Sequence, residues 1–191
     1  RVLGYLKQPF PSGGPTLDSQ PQSNVLLVCE PIVPGGIAVY ASSIMTELTR
    51  ADIEHPTLTN APPVDGLLPD AEAANIQVFS GLFWTFFRPF IFKRLLAWVK
   101  EKDVSLIHGL SAVTSPVCSK LAQALNLPYV VTVHHYQHRG GLHVDRNCRG
   151  FIAVSESLRE NLVNDAHIPK ELVRRISAGI RVPAELRPRP A

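Results

Sequence analysis

Four stretches of the chain hold residues that could act on a polar ligand. Pro34-Gly35-Gly36 follows an apolar run at 25–29 and precedes a helix-compatible segment at 37–50. Glycine lets a substrate or phosphate approach the backbone closely, and the helix start beyond it favours negative charge. A tight turn that needs glycine for its own sake reads the same way. His134 closes the strand-like run Tyr129-Val-Val-Thr-Val133, and His135 follows it. In an extended strand these neighbours point to opposite faces. An ordinary histidine at a strand end is a satisfied polar residue, whereas one at the carboxyl edge of a parallel sheet faces whatever binds there. His108 and Ser111 stand at a second strand end, and Arg139, Gly140, Gly141 and His143 fill the loop after His134. A glycine loop in that place either closes over a ligand or simply connects two elements. Ser155 and Glu156 open a helical stretch. Serine as N-cap and an acid in the first turn are what any helix start favours. His134, His135 and His138 invite a zinc centre, but no Cys or carboxylate at helical spacing supports it, and no metal is expected.

The elements that must position these groups alternate. Strands are expected at 24–29, 54–59, 76–79, 104–108, 129–133, 150–154 and 173–177. Helices are expected at 36–50, 89–102, 112–125 and 156–164. Ile37, Tyr40, Ile44 and Leu48 form an apolar stripe at helical spacing. Pro89 fits a first turn better than a helix interior. Tyr129 to Val133 is β-branched and nearly all apolar, as buried parallel strands are. The alternation predicts an α/β fold, a Rossmann-like doubly wound, mostly parallel sheet with helices on both faces. Residues 1–23, rich in Pro, Gly, Ser and Gln, read as an extended leader or linker. Residues 24–183 read as the domain, and 184–191 as the start of a linker that leaves it.

Composition narrows the classes. The chain has 191 residues, 45% hydrophobic and 18% charged, so it can bury a real core. A net charge of +3 with no arginine-rich patch among aromatics gives no argument for nucleic acid. The three cysteines, Cys29, Cys118 and Cys148, form no CxxC pair and read as reduced cytosolic thiols. No G-x-G-x-x-G follows the first strand, which counts against a nicotinamide-dependent Rossmann enzyme. Residues 84–102 have two readings. One is a helix packed on the sheet with its lysines and arginines solvated. The other is a cationic, aromatic helix lying on anionic lipid at the inner membrane face.

Several phrases in this order resemble the amino-terminal, acceptor-side domain of a GT-B glycosyltransferase of the family 4 type. They are Pro34-Gly35-Gly36, the run from Asp103 to His108 continuing to Ser111, and the run from Ala124 through Pro128 to His134. Phe151-Ile-Ala-Val-Ser-Glu-Ser-Leu-Arg159 and the run from Ile168 to Pro183 complete them. The chain departs from the pattern at Asn126, where glycine is usual, and at Leu110, where a second histidine is common. It departs again at Ser177-Ala-Gly-Ile-Arg181, which lacks the usual Asn and acid.

The resemblance implies two Rossmann-like lobes facing across a cleft, with acceptor on this lobe and nucleotide-sugar on a second. It implies a retaining transferase that needs no cofactor beyond the nucleotide-sugar co-substrate. His134 would be the catalytic-site residue, orienting the acceptor or bonding a sugar hydroxyl. Gly35, Gly36, His108, Ser111, Arg139, Ser155 and Glu156 would bind substrate. The partners implied are a sugar or lipid-linked acceptor, and a nucleotide-sugar held through the second lobe. The location implied is cytoplasmic. Without the donor lobe, this chain alone is expected to be inactive. The alternative is a non-catalytic binding or interaction module on a Rossmann-like fold.

Overall fold

The computed structural model describes residues 24–68, 70–84 and 89–179. The expected leader at 1–23 and the linker at 184–191 lie outside them. Seven strands form one sheet in the order β3-β2-β1-β4-β5-β6-β7, and every pairing is parallel. The strands are β1 (Asn24–Val28), β2 (Thr57–Thr59), β3 (Ile76–Val78), β4 (Val104–Gly109), β5 (Tyr129–Val133), β6 (Cys148–Ala153) and β7 (Val173–Arg175). The helices are α1 (Gly36–Arg50), a short α2 (Asp70–Ala73), α3 (Pro89–Lys100), α4 (Ser115–Leu125) and α5 (Glu156–Asn164).

Strand alternation divides the core in two. Leu27 of β1 and Cys29 just beyond it pack with Ala38, Ala41 and Met45 of α1. Leu26 and Val28 face the other way, with Leu95 and Val99 of α3, Leu121 of α4 and Leu162 of α5. Each fully buried Leu or Val stabilises the fold by roughly 1.5–3 kcal/mol relative to exposure. Chain order therefore moves outward on one face through α1, crosses by α3, and returns on the other face, the doubly wound pattern. All strands run the same way, so their carboxyl ends, and the starts of the helices that follow, gather at one edge.

Local chemistry sets the element ends. β2 is shorter than the expected 54–59 because Pro56 has no N–H for the ladder. The carbonyls of Glu54 and Pro56 still accept from Val25 and Leu27, at 2.9 and 3.0 Å. The expected helix at 112–125 divides into a 3-10 turn, Ala112–Thr114, and α4, which begins at Ser115 with Pro116 in its first turn. Asn126 adopts φ 55° as the C-cap of α4. Asparagine tolerates this left-handed conformation, which explains how it replaces glycine there. The 3-10 turn Leu82–Trp84 and α2 have no counterpart in the pattern of apolar residues. His55 is 4% exposed, its Nδ1 against the Ile53 carbonyl. His167 is exposed, at φ 58°.

The link from β5 to β6 is unusual for such a sheet, since among the described residues it holds no helix. Its descending half is fixed by Asp145. That carboxylate accepts from Ser119 Oγ at 2.6 Å, the Asn147 amide at 2.7 Å, and Gln123 Nε2 and Tyr129 Oη at 3.2 Å. Burial works against its charge, but these donors together hold its pKa below the usual carboxylate range. Cys29, Cys118 and Cys148 are buried and unpaired. Burial pushes the Cys29 and Cys118 thiols up to about 12, which disables them as nucleophiles.

Candidate functional site

β4 and β5 lie side by side in the sheet, and their ends bring His108 and His134 to the carboxyl edge beside α1. Nε2 of His134 lies 3.1 Å from the Leu110 carbonyl. A carbonyl only accepts, so Nε2 carries the proton and Nδ1 keeps its lone pair. The ring of Tyr40, from α1, meets the His134 ring edge-on with centroids 4.8 Å apart. The Tyr40 hydroxyl lies 3.1 Å from Thr132 Oγ1, and Thr132 Oγ1 lies 2.9 Å from Nε2 of His108. A chain of hydrogen bonds thus runs from α1 through β5 to β4. It ties the helix that follows Gly36 to both histidines.

Burial lowers the pKa of His134, with the Leu110 hydrogen bond opposing and the neighbouring His135 adding to the fall. Burial, and then the charge of His134, pull His108 down to about 4. Both rings are therefore neutral at pH 7. His108 has a consequence for stability. Its ordinary pKa of 6.5 lies above the folded value, so the unfolded chain takes up the proton first as pH falls. Its stabilising contribution is complete above about pH 6.5, declines down to about pH 4, and is flat below. We expect urea unfolding to show a loss on the order of 2 kcal/mol between pH 7 and 4.5. His108→Gln is expected to flatten that slope. Any further loss below that window belongs to Asp145, whose depressed pKa adds stability that disappears as the carboxylate is protonated.

Beside His134 the edge dips into a hollow of about 150 Å³, lined by Glu30, Ile37, Ser111, His134, Gln137 and Gly141 among others. Ser111 sits at the N-cap of the 3-10 turn but does not cap it. The residue is 4% exposed and its Oγ has no hydrogen-bond partner among the described residues. A buried hydroxyl left unmatched costs free energy unless a ligand or water completes it. Ile37 places the first turn of α1 at the same hollow. A Cβ on Gly36 would meet no atom within 4 Å, and one on Gly35 only the Val33 carbonyl at 4.0 Å. The chain's own packing leaves that side of the loop open, which is the space an approaching ligand uses. A larger groove of about 580 Å³ runs along the outer side of α1 and includes Gly35, Tyr40 and Gly179.

Of the residues singled out in the sequence, His134 and Ser111 line the hollow, and Gly36 adjoins it through Ile37. His108 stands one step behind, its Nε2 taken by Thr132. Arg139 is exposed on the loop that borders the hollow. Ser155 and Glu156 line neither hollow. Ser155 Oγ accepts from the Leu158 amide as an N-cap at 3.3 Å. Glu156 pairs with Arg159 at 2.5 Å and Arg175 at 3.6 Å. Tyr40, Thr132 and Gln137 belong to the site and were not singled out. The one signal for Thr132 was a lone hydroxyl in an otherwise apolar strand, because a buried hydroxyl needs a partner. Among the described residues no group of three His, Cys, Asp or Glu is placed to hold a metal ion.

The family model described as Glycosyltransferase Family 4 matches residues 34–182. The fold is similar to that of Anabaena Alr3699/HepE, solved with UDP and glucose, at a TM-score of 0.66 and 16% identity. The match covers 83% of this chain and 45% of that one. A glycosyltransferase from Rickettsia africae gives 0.63 and 16%, over 83% of this chain and 44% of that one. The lipopolysaccharide outer core galactosyltransferase WaaB, in its apo form, gives 0.59 and 11%, over 84% and 47%. This chain therefore spans less than half of each of these proteins. No curated protein sequence matches it. The Rossmann-like sheet with helices on both faces is one half of the GT-B architecture.

Proposed function

This chain belongs to Glycosyltransferase Family 4, and from that premise we propose that it is the acceptor-side lobe of a nucleotide-sugar-dependent glycosyltransferase. One observation carries the proposal. His134, the unpartnered Ser111 hydroxyl and the first turn of α1 meet at a single hollow on the carboxyl edge, where α/β sheets bind ligands. In this reading a second lobe holds the nucleotide-sugar over that edge. The acceptor hydroxyl forms a bond to the anomeric carbon, and the diphosphate leaves with the electron pair of the broken bond.

His134 acts by orientation. Its neutral Nδ1 accepts from a neighbouring hydroxyl of the acceptor sugar and so holds the attacking hydroxyl in line, while the leaving phosphate takes the attacking hydroxyl's proton in a retaining transfer. The open backbone at Gly35 and Gly36 lets α1's first amides face the departing diphosphate. His108 supports this through Thr132 and Tyr40. Ser155 and Glu156 keep the start of α5 in place and reach substrate only across the rim. Because the second lobe holds the nucleotide in this reading, the acceptor-side lobe by itself is expected to be inactive. The test is a transfer assay on the intact protein across UDP-, GDP- and ADP-sugars. Release of nucleotide coupled to a glycosylated product is expected for one of them. No release from any would end the proposal.

The lipid contact belongs to the same proposal. Leu95 and Val99 anchor α3 in the core, and Trp98 packs edge-on against Phe79. Phe90, at the helix start, is 84% exposed, with Lys93 and Arg94 exposed beside it. These groups would meet an anionic headgroup layer, which places the protein peripherally at the inner face of the membrane. No helix among the described residues is long and apolar enough to cross a membrane. Co-sedimentation with phosphatidylglycerol vesicles is expected at low salt and lost at high salt. Phe90→Ala with Lys93→Ala is expected to weaken it several-fold. Equal pelleting with neutral vesicles would contradict it.

A further inference from the structure

The loop after β5 presents groups that the fold itself does not use. Tyr136 is 64% exposed at the carboxyl edge, beside the hollow. His135, His138 and Arg139 around it are exposed too. Yet the backbone that carries them is held firmly. Asn161 of α5, 7% exposed, grips Gln137 from both sides. Its Oδ1 accepts from the Gln137 amide at 2.7 Å and its Nδ2 donates to the Gln137 carbonyl at 3.2 Å. The Gln137 side chain donates to the His135 carbonyl, and the Gly141 amide to that of His138, both at 3.0 Å. Gly140 turns the chain at φ 83°, where other residues are strained. A Cβ on Gly141 would crowd Gln137 Oε1 and the His138 carbonyl at 3.1 and 3.2 Å. A preorganised loop with an unused aromatic face and unused cations is built to recognise something.

Charge gives the class of ligand. Arg139, His135 and His138 supply donors on the rim, and Arg139 has no carboxylate partner among the described residues. The acid within this connection, Asp145, is already engaged by its own donors. Glu30 lines the hollow with Ser111 and His134, where a hydroxyl rather than an anion would sit. The apolar face of a sugar ring suits the Tyr136 ring, and a carboxylate or phosphate suits a guanidinium fork.

We propose that this loop selects an acceptor saccharide carrying an anionic group. Tyr136 lies under its ring, Arg139 with His138 holds the anion, and Ser111 Oγ with His134 takes a hydroxyl in the hollow. The proposal rests on the acceptor-side reading above. The anion has two possible sources, a carboxylate on the sugar or the phosphate that links the sugar to a carrier.

Calorimetric binding to the intact protein, saturated with whichever of UDP, GDP or ADP the transfer assay identifies, tests it with glucose, glucuronate and glucose 1-phosphate as probes. One of the two anionic probes is expected to bind at least about tenfold more tightly than glucose, and which one does so names the source. Arg139→Gln is expected to erase that preference. Tyr136→Ala is expected to weaken the preferred probe about tenfold, and Tyr136→Phe to restore it. Equal affinity for all probes, no binding of any, or a preference that survives Arg139→Gln would overturn the proposal. Nucleotide release from nucleotide-sugars, measured alongside, separates the two failures. Release without anionic preference sinks only the acceptor class, and no release sinks the transferase itself.

Discussion

Replacing His134 with alanine is expected to lower kcat of the intact transferase by about 10²–10³-fold, with KM for the nucleotide-sugar changed little. The split follows from geometry. His134 borders the hollow at the carboxyl edge, and its ring is held by the Leu110 carbonyl and the edge of Tyr40. In the acceptor-side reading proposed above, losing it would leave the acceptor unoriented while a second lobe would still hold the donor. His134→Asn is expected to recover part of the loss, since its amide can reach the same acceptor hydroxyl but lacks the held lone pair. The pH profile has a matching sign. The pKa of His134 lies below its ordinary value, so kcat is expected to be level through neutral pH and to fall only in acid, as Nδ1 is protonated. A profile that instead rises towards acid would mean that the imidazolium is the working form.

The largest expected effect on stability is at Gly109. A Cβ there would come within 2.3 Å of Thr114 Oγ1 and 2.9 Å of Cys118 Sγ. Thr114 and Cys118 are fully buried, and Thr114 Oγ1 also donates to the Ser111 carbonyl at 2.6 Å. Neither neighbour can swing away. Gly109→Ala is therefore expected to cost about 2–4 kcal/mol and to lower Tm by roughly 5–15 °C. The double variant Gly109→Ala with Thr114→Ala is expected to cost clearly less than the sum of the two, because the second change removes the nearest clashing atom. Strict additivity would mean that the strand shifts instead. The position matters for function because Gly109 lies two residues before Ser111, which lines the hollow.

The strand and helix alternation was legible because both apolar periods are clear. A run such as Tyr129-Val-Val-Thr-Val133 leaves little else for the chain to do. Each of the seven strands expected between 24 and 177 is present among the described residues, with the start of β2 shifted where Pro56 removes a backbone donor and the start of α4 set by Pro116. The convergence of Gly36, His108 and His134 on one edge followed from parallel strands alone. The links between them did not. Tyr40 reads as one more residue of an apolar helix stripe, and only the packing of α1 across β4 and β5 turns its hydroxyl toward Thr132. His108 looks like a ligand group in one dimension. In three, its Nε2 is occupied and it holds the site from behind. Asn161 shows no sign in the sequence of gripping Gln137, because a contact over 24 positions leaves no periodic trace.

The most direct measurement is a crystal structure of the intact protein with the nucleotide that the transfer assay identifies and the preferred anionic saccharide bound. A saccharide hydroxyl is expected about 3 Å from both the His134 ring and Ser111 Oγ, with the sugar over Tyr136. A saccharide seated away from the carboxyl edge, with the His134 hollow still holding only water, would contradict the acceptor-side assignment.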